Sequence, residues 1–176
     1  NGNKEVVFEA PSWEENTSVV EFNVSAKKFN DLPFEKAQVS DLENIYMAMV
    51  IGLRDYVTKN NFPGVILGLS GGIDSAFCAA VAVDALGKDK VNAYMLPSVY
   101  TSKNSLDDAK DCAKRLEIHL DSIPISNTFL SLEDSLEELF KGLPTDITEE
   151  NLQSRIRGTI LMAISNKIGK MLIKQT

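Results

Sequence analysis

Histidine is all but missing from this sequence and cysteine is scarce: there is one His, with two Cys and one Trp, in 176 residues. The single His119 cannot build a histidine-rich metal centre. Cys78 and Cys112 both fall in runs that read as helix. They are expected to be small apolar residues of a reducing compartment, which points to the cytoplasm, rather than partners in a disulfide. No apolar run approaches the ~18 residues that a membrane span needs, so no membrane is expected as a partner. The opening Asn1-Gly2-Asn3-Lys4-Glu5 has neither an initiator Met nor the apolar core of a secretory signal, and the chain reads as a fragment or a processed product. A positive balance is missing too. The formal charge of −7 argues against a broad nucleic-acid-binding surface. No internal repeat and no low-complexity segment is present.

The charge that is there is unevenly placed. Ser131 to Glu150 carries Glu133, Asp134, Glu137, Glu138, Asp146, Glu149 and Glu150 against one Lys141. From Asn151 onward there is no acid, and Arg155, Arg157, Lys167, Lys170 and Lys174 are all cationic. An acidic protein that takes up a polyanionic ligand must concentrate positive potential locally, and this last segment is where it can do so. Lys167, Lys170 and Lys174 are expected to be solvated element ends; the two arginines fit that description less well.

Residues 1–30 differ from the rest. Val6–Phe8 and Val19–Val24 read as two short strands around a turn-rich Pro11–Asn16, too little for a core of their own. Asn30–Pro33 reads as a linker. Ser40-Asp41-Leu42-Glu43 fits a capping box, followed by an apolar face of Leu42, Ile45, Tyr46, Met49, Leu53 and Tyr56. Strand and helix then alternate. Strands are predicted at Val65–Leu69, Val91–Leu96, Ile118–Ile123 and Met171–Ile173. Helices are predicted at Ser75–Leu86, Ser105–Leu116, Asn127–Phe140 and Glu149–Ile168, with Gly87 and Gly169 as C-caps. This spacing predicts an α/β fold: a doubly wound parallel sheet flanked by helices on both faces, with a short β appendage at the N-terminus. In such sheets ligands sit beyond the carboxyl ends of the strands.

Ser70-Gly71-Gly72-Ile73-Asp74-Ser75 lies at one such end, between a compact apolar strand and a helix start. Strand, glycine turn and helix start aim backbone N–H groups at an anion. The two glycines permit a sharp turn and close approach of a phosphate, and Ser70 and Ser75 add hydroxyl donors. A carboxylate beside phosphates repels them unless a cation lies between, so Asp74 points to Mg²⁺. The bland alternative is a glycine turn with Asp74 or Ser75 as an ordinary N-cap. The string is not a Walker A loop, because no Gly-Lys-Ser/Thr follows. A second loop, Pro97–Ser102, either holds a nucleoside or is a plain turn with Ser102 or Asn104 as N-cap. On the last helix, with Thr148 as expected N-cap and Leu152, Ile156 and Ile160 as expected buried stripe, Asn151 and Arg155 share another face. An amide beside a fixed guanidinium suits a carboxylate or phosphate; a solvated Arg155 is the alternative.

Taken together, Gly68-Leu69-Ser70-Gly71-Gly72-Ile73-Asp74-Ser75-Ala76, Pro97-Ser98 with Tyr100-Thr101-Ser102, Glu150-Asn151-Leu152-Gln153 with Arg155-Ile156-Arg157-Gly158-Thr159, and Ser165-Asn166-Lys167 resemble the NAD synthetases, members of the ATP pyrophosphatases, over roughly residues 34–173. The segment before looks like the end of the nitrilase-like glutaminase domain of the glutamine-dependent members. The resemblance implies ligation in two steps, in which ATP adenylates the carboxylate of deamido-NAD and ammonia, from glutamine or free, displaces AMP to give NAD. It implies that Gly68, Leu69, Ser70, Gly71, Gly72, Ile73, Asp74 and Ser75 bind ATP, that Asp74 helps bind Mg²⁺, that Asn151 and Arg155 contact deamido-NAD, and that the protein is a homo-oligomer. It assigns no catalytic residue. The family continues past Ile173 through a threonine-glycine-asparagine-lysine-serine-glutamate stretch that supplies ATP contacts and a second metal carboxylate, where this chain reads Lys174-Gln175-Thr176. The expectation is therefore a fragment that does not turn over alone. Another ATP pyrophosphatase such as GMP synthetase, or a non-catalytic nucleotide-binding module, are the competing readings.

Overall fold

The computed structural model describes residues 6, 8–30 and 39–173, and the chain divides into two compact units, Asn1–Ile51 and Gly52–Thr176. In the first unit, β1 (Phe22–Asn23) and β2 (Lys28–Phe29) form an antiparallel hairpin. Phe22 and Phe29 meet edge-on at 5.1 Å across it. Asn23 Oδ1 accepts from the Ala26 N–H at 2.9 Å, so the chain turns back at once and pairs with its nearest neighbour in sequence. The appendage is β, as expected, but the strands are not the expected ones. Val6 and Phe8 belong to no strand, Val7 lies outside the described residues, and Val19–Val24 shrinks to two paired residues. Of the expected linker, residues 31–33 also lie outside them.

Helix α1 (Asp41–Lys59) opens with Ser40 Oγ accepting from the Glu43 N–H, the forward half of the expected capping box. Its buried side differs from the expected face. Leu42, Ile45, Met49 and Tyr56 are exposed, while Val50 and Val57 are buried with Tyr46 and Leu53 partly so. Both sets recur at helical spacing, so periodicity alone could not choose between them.

In the second unit the order is β3 (Val65–Gly68), α2 (Ile73–Leu86), a 3-10 turn at Lys88–Lys90, β4 (Val91–Met95), α3 (Lys103–Arg115), β5 (His119–Ser122), α4 (Ser126–Phe140), α5 (Ile147–Ile168) and β6 (Met171–Ile173). The four strands form one parallel sheet in the order β5-β4-β3-β6. β3 is central because Val65, Ile66 and Leu67 are wholly buried and serve both faces. Val65 and Leu67 pack with Ala79 and Ala82 of α2 and Ala109 and Ala113 of α3. Ile66 packs with Phe129 of α4 and Ile156 and Leu161 of α5. The sheet is thus wound on both faces. β5 forms an edge; its His119 and Asp121 are exposed and paired at 2.9 Å, and charge on an edge strand discourages further pairing.

Element ends follow local chemistry. Gly87 and Gly169 close α2 and α5, and Gly169 takes the left-handed φ of +72° that favours glycine. α5 starts earlier than expected, since Asp146 rather than Thr148 is its cap. Asp146 Oδ1 accepts from the Thr148 N–H and Glu149 Oε2 accepts from the Asp146 N–H, each at 2.8 Å. Lys170 is not a solvated end. It is partly buried, its ammonium bonds Asn92 Oδ1, and burial pulls its pKa below the usual lysine value. The Ser165 hydroxyl donates to its carbonyl at 2.7 Å, tying α5 to β6. Among the described residues no helix is long and apolar enough to cross a membrane.

Candidate functional site

The strand order reverses at β3: β4 and β5 are laid down on one side, and β6 returns to the other. Helices diverge to opposite faces there, which leaves a crevice beyond the carboxyl ends of the strands. A cavity of about 520 Å³ occupies it. β3 and the loop after it contribute Gly68 to Ser70; β4 and its loop contribute Tyr94 to Pro97 and Tyr100 to Ser102; α5 contributes Ser154, Arg157, Gly158 and Leu161; β6 contributes Leu172 and Ile173.

Of the Ser70–Ser75 loop only Ser70 lines the cavity, and the loop's shape is forced. Gly71 has φ +82°, and a Cβ there would lie 2.2 Å from the Ser105 carbonyl oxygen of α3. Only glycine fits both the conformation and the contact. Ser75 is 1% exposed. Its hydroxyl donates to the Gly72 carbonyl at 2.8 Å and accepts from the Ser70 N–H at 3.2 Å. Ser70 Oγ accepts from the Gly72 N–H at 3.3 Å and meets Ser75 Oγ at 3.2 Å. The hydroxyls therefore hold the loop together. The helix they lead into begins at Ile73, two residues before the predicted start, with Gly72 as an N-cap that offers no side chain. The N–H groups of Ile73, Asp74 and Ser75 take no acceptor among the described residues, and they carry the positive end of α2.

The second loop is fastened by its own side chains. Ser98 N–H donates to Thr101 Oγ1 at 2.9 Å, Tyr100 N–H donates to Ser98 Oγ at 3.3 Å, and Ser102 caps α3 by accepting from the Ser105 N–H at 3.1 Å. Tyr100 reaches over the edge of Phe129, with ring centres 6.4 Å apart. Tyr94 is 8% exposed at the cavity floor, and burial, then the charge of Asp121, pushes its phenol pKa up.

The predicted site residues fall into two groups. Gly68, Leu69 and Ser70 line the cavity, and Gly71, Gly72, Ile73, Asp74 and Ser75 continue from them as the loop and first turn of α2. Asn151 and Arg155 are exposed on α5, outside the cavity lining. The arginine inside it is Arg157. Its Nε donates to the Leu96 carbonyl at 3.1 Å and its Nη2 to Gln153 Oε1 at 3.5 Å, and burial lowers its pKa. A sequence signal for this existed. Gln153, Arg157 and Leu161 recur every four residues, and Gln153 and Leu161 are buried, so Arg157 shares their face. The expected Leu152–Ile156–Ile160 stripe is buried only at Ile156; Leu152 and Ile160 are half-buried, and the remaining buried positions are Gln153, Leu161 and Ser165.

Asp74 is an exposed carboxylate at the start of α2. Among the described residues no cluster of three or more metal-ligating side chains exists. Cys78 and Cys112 are half-buried free thiols whose pKa burial pushes up, in keeping with packing rather than reactivity.

The family model described as NAD synthase matches residues 45–176. The chain is 47% identical over 174 residues to a glutamine-dependent NAD(+) synthetase of Rhodobacter capsulatus, covering 98% of this chain and 32% of that protein. Among solved structures it superposes on the glutamine-dependent NAD+ synthetase of Acinetobacter baumannii, determined in complex with ADP, with a TM-score of 0.92 and 42% identity, covering 98% of this chain and 32% of that one. It also superposes on the NH3-dependent NAD synthetase of Campylobacter jejuni, with a TM-score of 0.66 and 29% identity, over 78% of this chain and 58% of that one. The chain spans about a third of the length of the glutamine-dependent relatives it matches.

Proposed function

The chain belongs to the NAD synthase family, and on that premise we propose that it forms the ATP-handling core of a glutamine-dependent NAD+ synthetase acting in the cytoplasm. The observation that carries the reading is the glycine loop at the strand-order reversal. Its N–H groups at Ile73–Ser75 are left open to an anion, and it adjoins a cavity sized for a nucleoside. The Acinetobacter baumannii relative was determined in complex with ADP, which supports nucleotide binding by this family.

The reaction joins a carboxylate to ammonia. A carboxylate oxygen is too poor a leaving group for ammonia to displace. In the first step the deamido-NAD carboxylate oxygen attacks the α-phosphorus of ATP; the bond from that phosphorus to the bridging oxygen breaks and pyrophosphate leaves. In the second, ammonia attacks the acyl carbon, AMP leaves with the carbon–oxygen bond pair, and the nitrogen loses a proton. The first-turn N–H groups of α2 and the loop backbone hold the departing pyrophosphate and offset its growing charge. Asp74 holds Mg²⁺, which when bound neutralises phosphate charge. Asn151 and Arg155, on the outer face of α5, receive deamido-NAD. Residues 1–30 are the tail of a preceding glutaminase domain that supplies ammonia. The exposed row of Leu42, Ile45 and Met49 suits burial in a homo-oligomer.

The test is calorimetric titration of the intact protein with ATP and Mg²⁺, followed by assay with deamido-NAD and ammonia. Binding that weakens in Asp74→Ala only when Mg²⁺ is present, with AMP, pyrophosphate and NAD formed in equal amounts, is the expected result. Unchanged affinity in Asp74→Ala removes that residue from a metal role. Turnover of XMP in place of deamido-NAD overturns the ligation assigned here.

A further inference from the structure

Arg157 occupies a place that the loop alone does not explain, and the role assigned to it rests on the cavity being a nucleotide site. Leu161 Cδ1 lies 3.2 Å from where a Cβ on Gly68 would sit. Arg157 is about one helical turn before Leu161 on α5. It therefore stands beyond the end of β3 on the α4–α5 face, while the Ser70–Ser75 loop leads into α2 on the other face. Its Nε is bonded to the Leu96 carbonyl and one Nη2 hydrogen to Gln153. Three of its five N–H groups remain. No carboxylate pairs with it among the described residues; the ion pairs they form lie elsewhere, at exposed positions. A guanidinium half out of water, fixed at its base and not neutralised, is costly to the fold unless an anion joins it.

The order of groups along a bound nucleotide decides which anion. The cavity holds the nucleoside between β4, its loop and α5, and Arg157 is part of that lining. The open N–H groups of Ile73, Asp74 and Ser75 are not part of it; they lie further along, past the glycine turn. We propose that Arg157 binds the phosphate attached directly to the nucleoside, with a pair of N–H groups held in place by the Leu96 carbonyl, while the α2 N-terminus takes the phosphates beyond.

Adenosine and AMP differ by that one phosphate, so they isolate the contact. The intact protein and its Arg157→Gln and Arg157→Lys variants are titrated calorimetrically with adenosine, AMP, ADP and ATP. Arg157→Gln is expected to weaken AMP, ADP and ATP by one common factor of about ten to a hundred and to leave adenosine unchanged. Arg157→Lys keeps the charge without the fork and regains part of the loss. Equal weakening of adenosine means that Arg157 acts by holding the Leu96 carbonyl, and the phosphate contact is overturned. A loss that grows from AMP to ATP places the arginine on the outer phosphates and also overturns it. Wild type that binds none of the four overturns the nucleotide reading itself, a result distinct from either. If Arg157→Gln does not fold, the AMP-to-adenosine affinity ratio in Arg157→Lys carries the test, and an unchanged ratio overturns the proposal.

Discussion

Two neighbouring strands end at the same edge of the sheet, and each leads into a helix, yet their loops solve the turn in opposite ways. After β4, Ser102 caps α3, and Ser98 and Thr101 bond the loop to itself. The donors at that helix start are partly spent within the protein. After β3, the cap position is Gly72, the serine hydroxyls are consumed inside the loop, and the first N–H groups of α2 are left over. A capped helix start is finished; an uncapped one is stabilised by whatever anion arrives. The uncapped loop also has the harder constraint, because Gly71 is pressed against Ser105 of the capped helix. The finished loop is thus the anvil against which the unfinished one is shaped.

The largest effect is expected from Gly71→Ala. The left-handed φ costs about 1–3 kcal/mol for a residue with a side chain, and the Ser105 carbonyl must also move. Denaturant unfolding should show a loss beyond that range, with ATP binding abolished. Gly169→Ala provides the contrast. Gly169 also has a left-handed φ, +72°, but open space around it, so it should lose only the conformational part. Equal losses at the two glycines would mean that contact with α3 does not shape the loop.

Gly158→Phe comes next. Gly158 lines the cavity, and a Cβ there meets nothing within 4 Å. Binding of ATP should fall while the thermal midpoint holds. Gly158→Ala, mid-helix, should raise stability by about 0.5–1 kcal/mol. A Gly158→Phe protein that binds ATP normally would move the nucleoside out of this cavity.

Ser102→Ala should cost about 1 kcal/mol in denaturant unfolding through loss of the α3 cap; because Ser102 also lines the cavity, ATP affinity should fall, but far less than in Gly71→Ala. If it instead removes binding as Gly71→Ala does, the distinction between a finished and an unfinished helix start fails.

The smallest effect concerns pH. The hydrogen bonds from Thr148, side chain first and backbone second, hold the Asp146 carboxyl below the ordinary aspartate range. A carboxyl with a depressed folded pKa adds stability that is present above its unfolded pKa and disappears as pH falls through the folded one. The thermal midpoint of wild type should therefore drop more than that of Asp146→Asn on acidification, since asparagine caps without titrating. A midpoint difference that stays constant across that range would contradict it.

Much of this was legible beforehand. Alternation of apolar strands with helical runs determined the doubly wound sheet, because both faces of β3 must be covered by something apolar. Gly71, Gly72 and the flanking serines announced a tight strand-to-helix turn, and Gly71, at φ +82° against Ser105, is the position where only glycine fits. Ser102, Gly87 and Gly169 announced their caps for the same local reason. Where two patterns of equal periodicity competed, the sequence was silent. On α1 it could not tell the Val50–Val57 side from the Leu42–Met49 side. On α5 the spacing put Asn151 and Arg155 on one face and left a solvated Arg155 as the alternative; it did not single out Arg157, which lines the cavity. Spacing specifies which residues share a face, a property of the single helix. Which face turns inward is a property of the partner it packs on, and only the position of α5 over the end of β3 brought Arg157 to the Leu96 carbonyl and to the cavity.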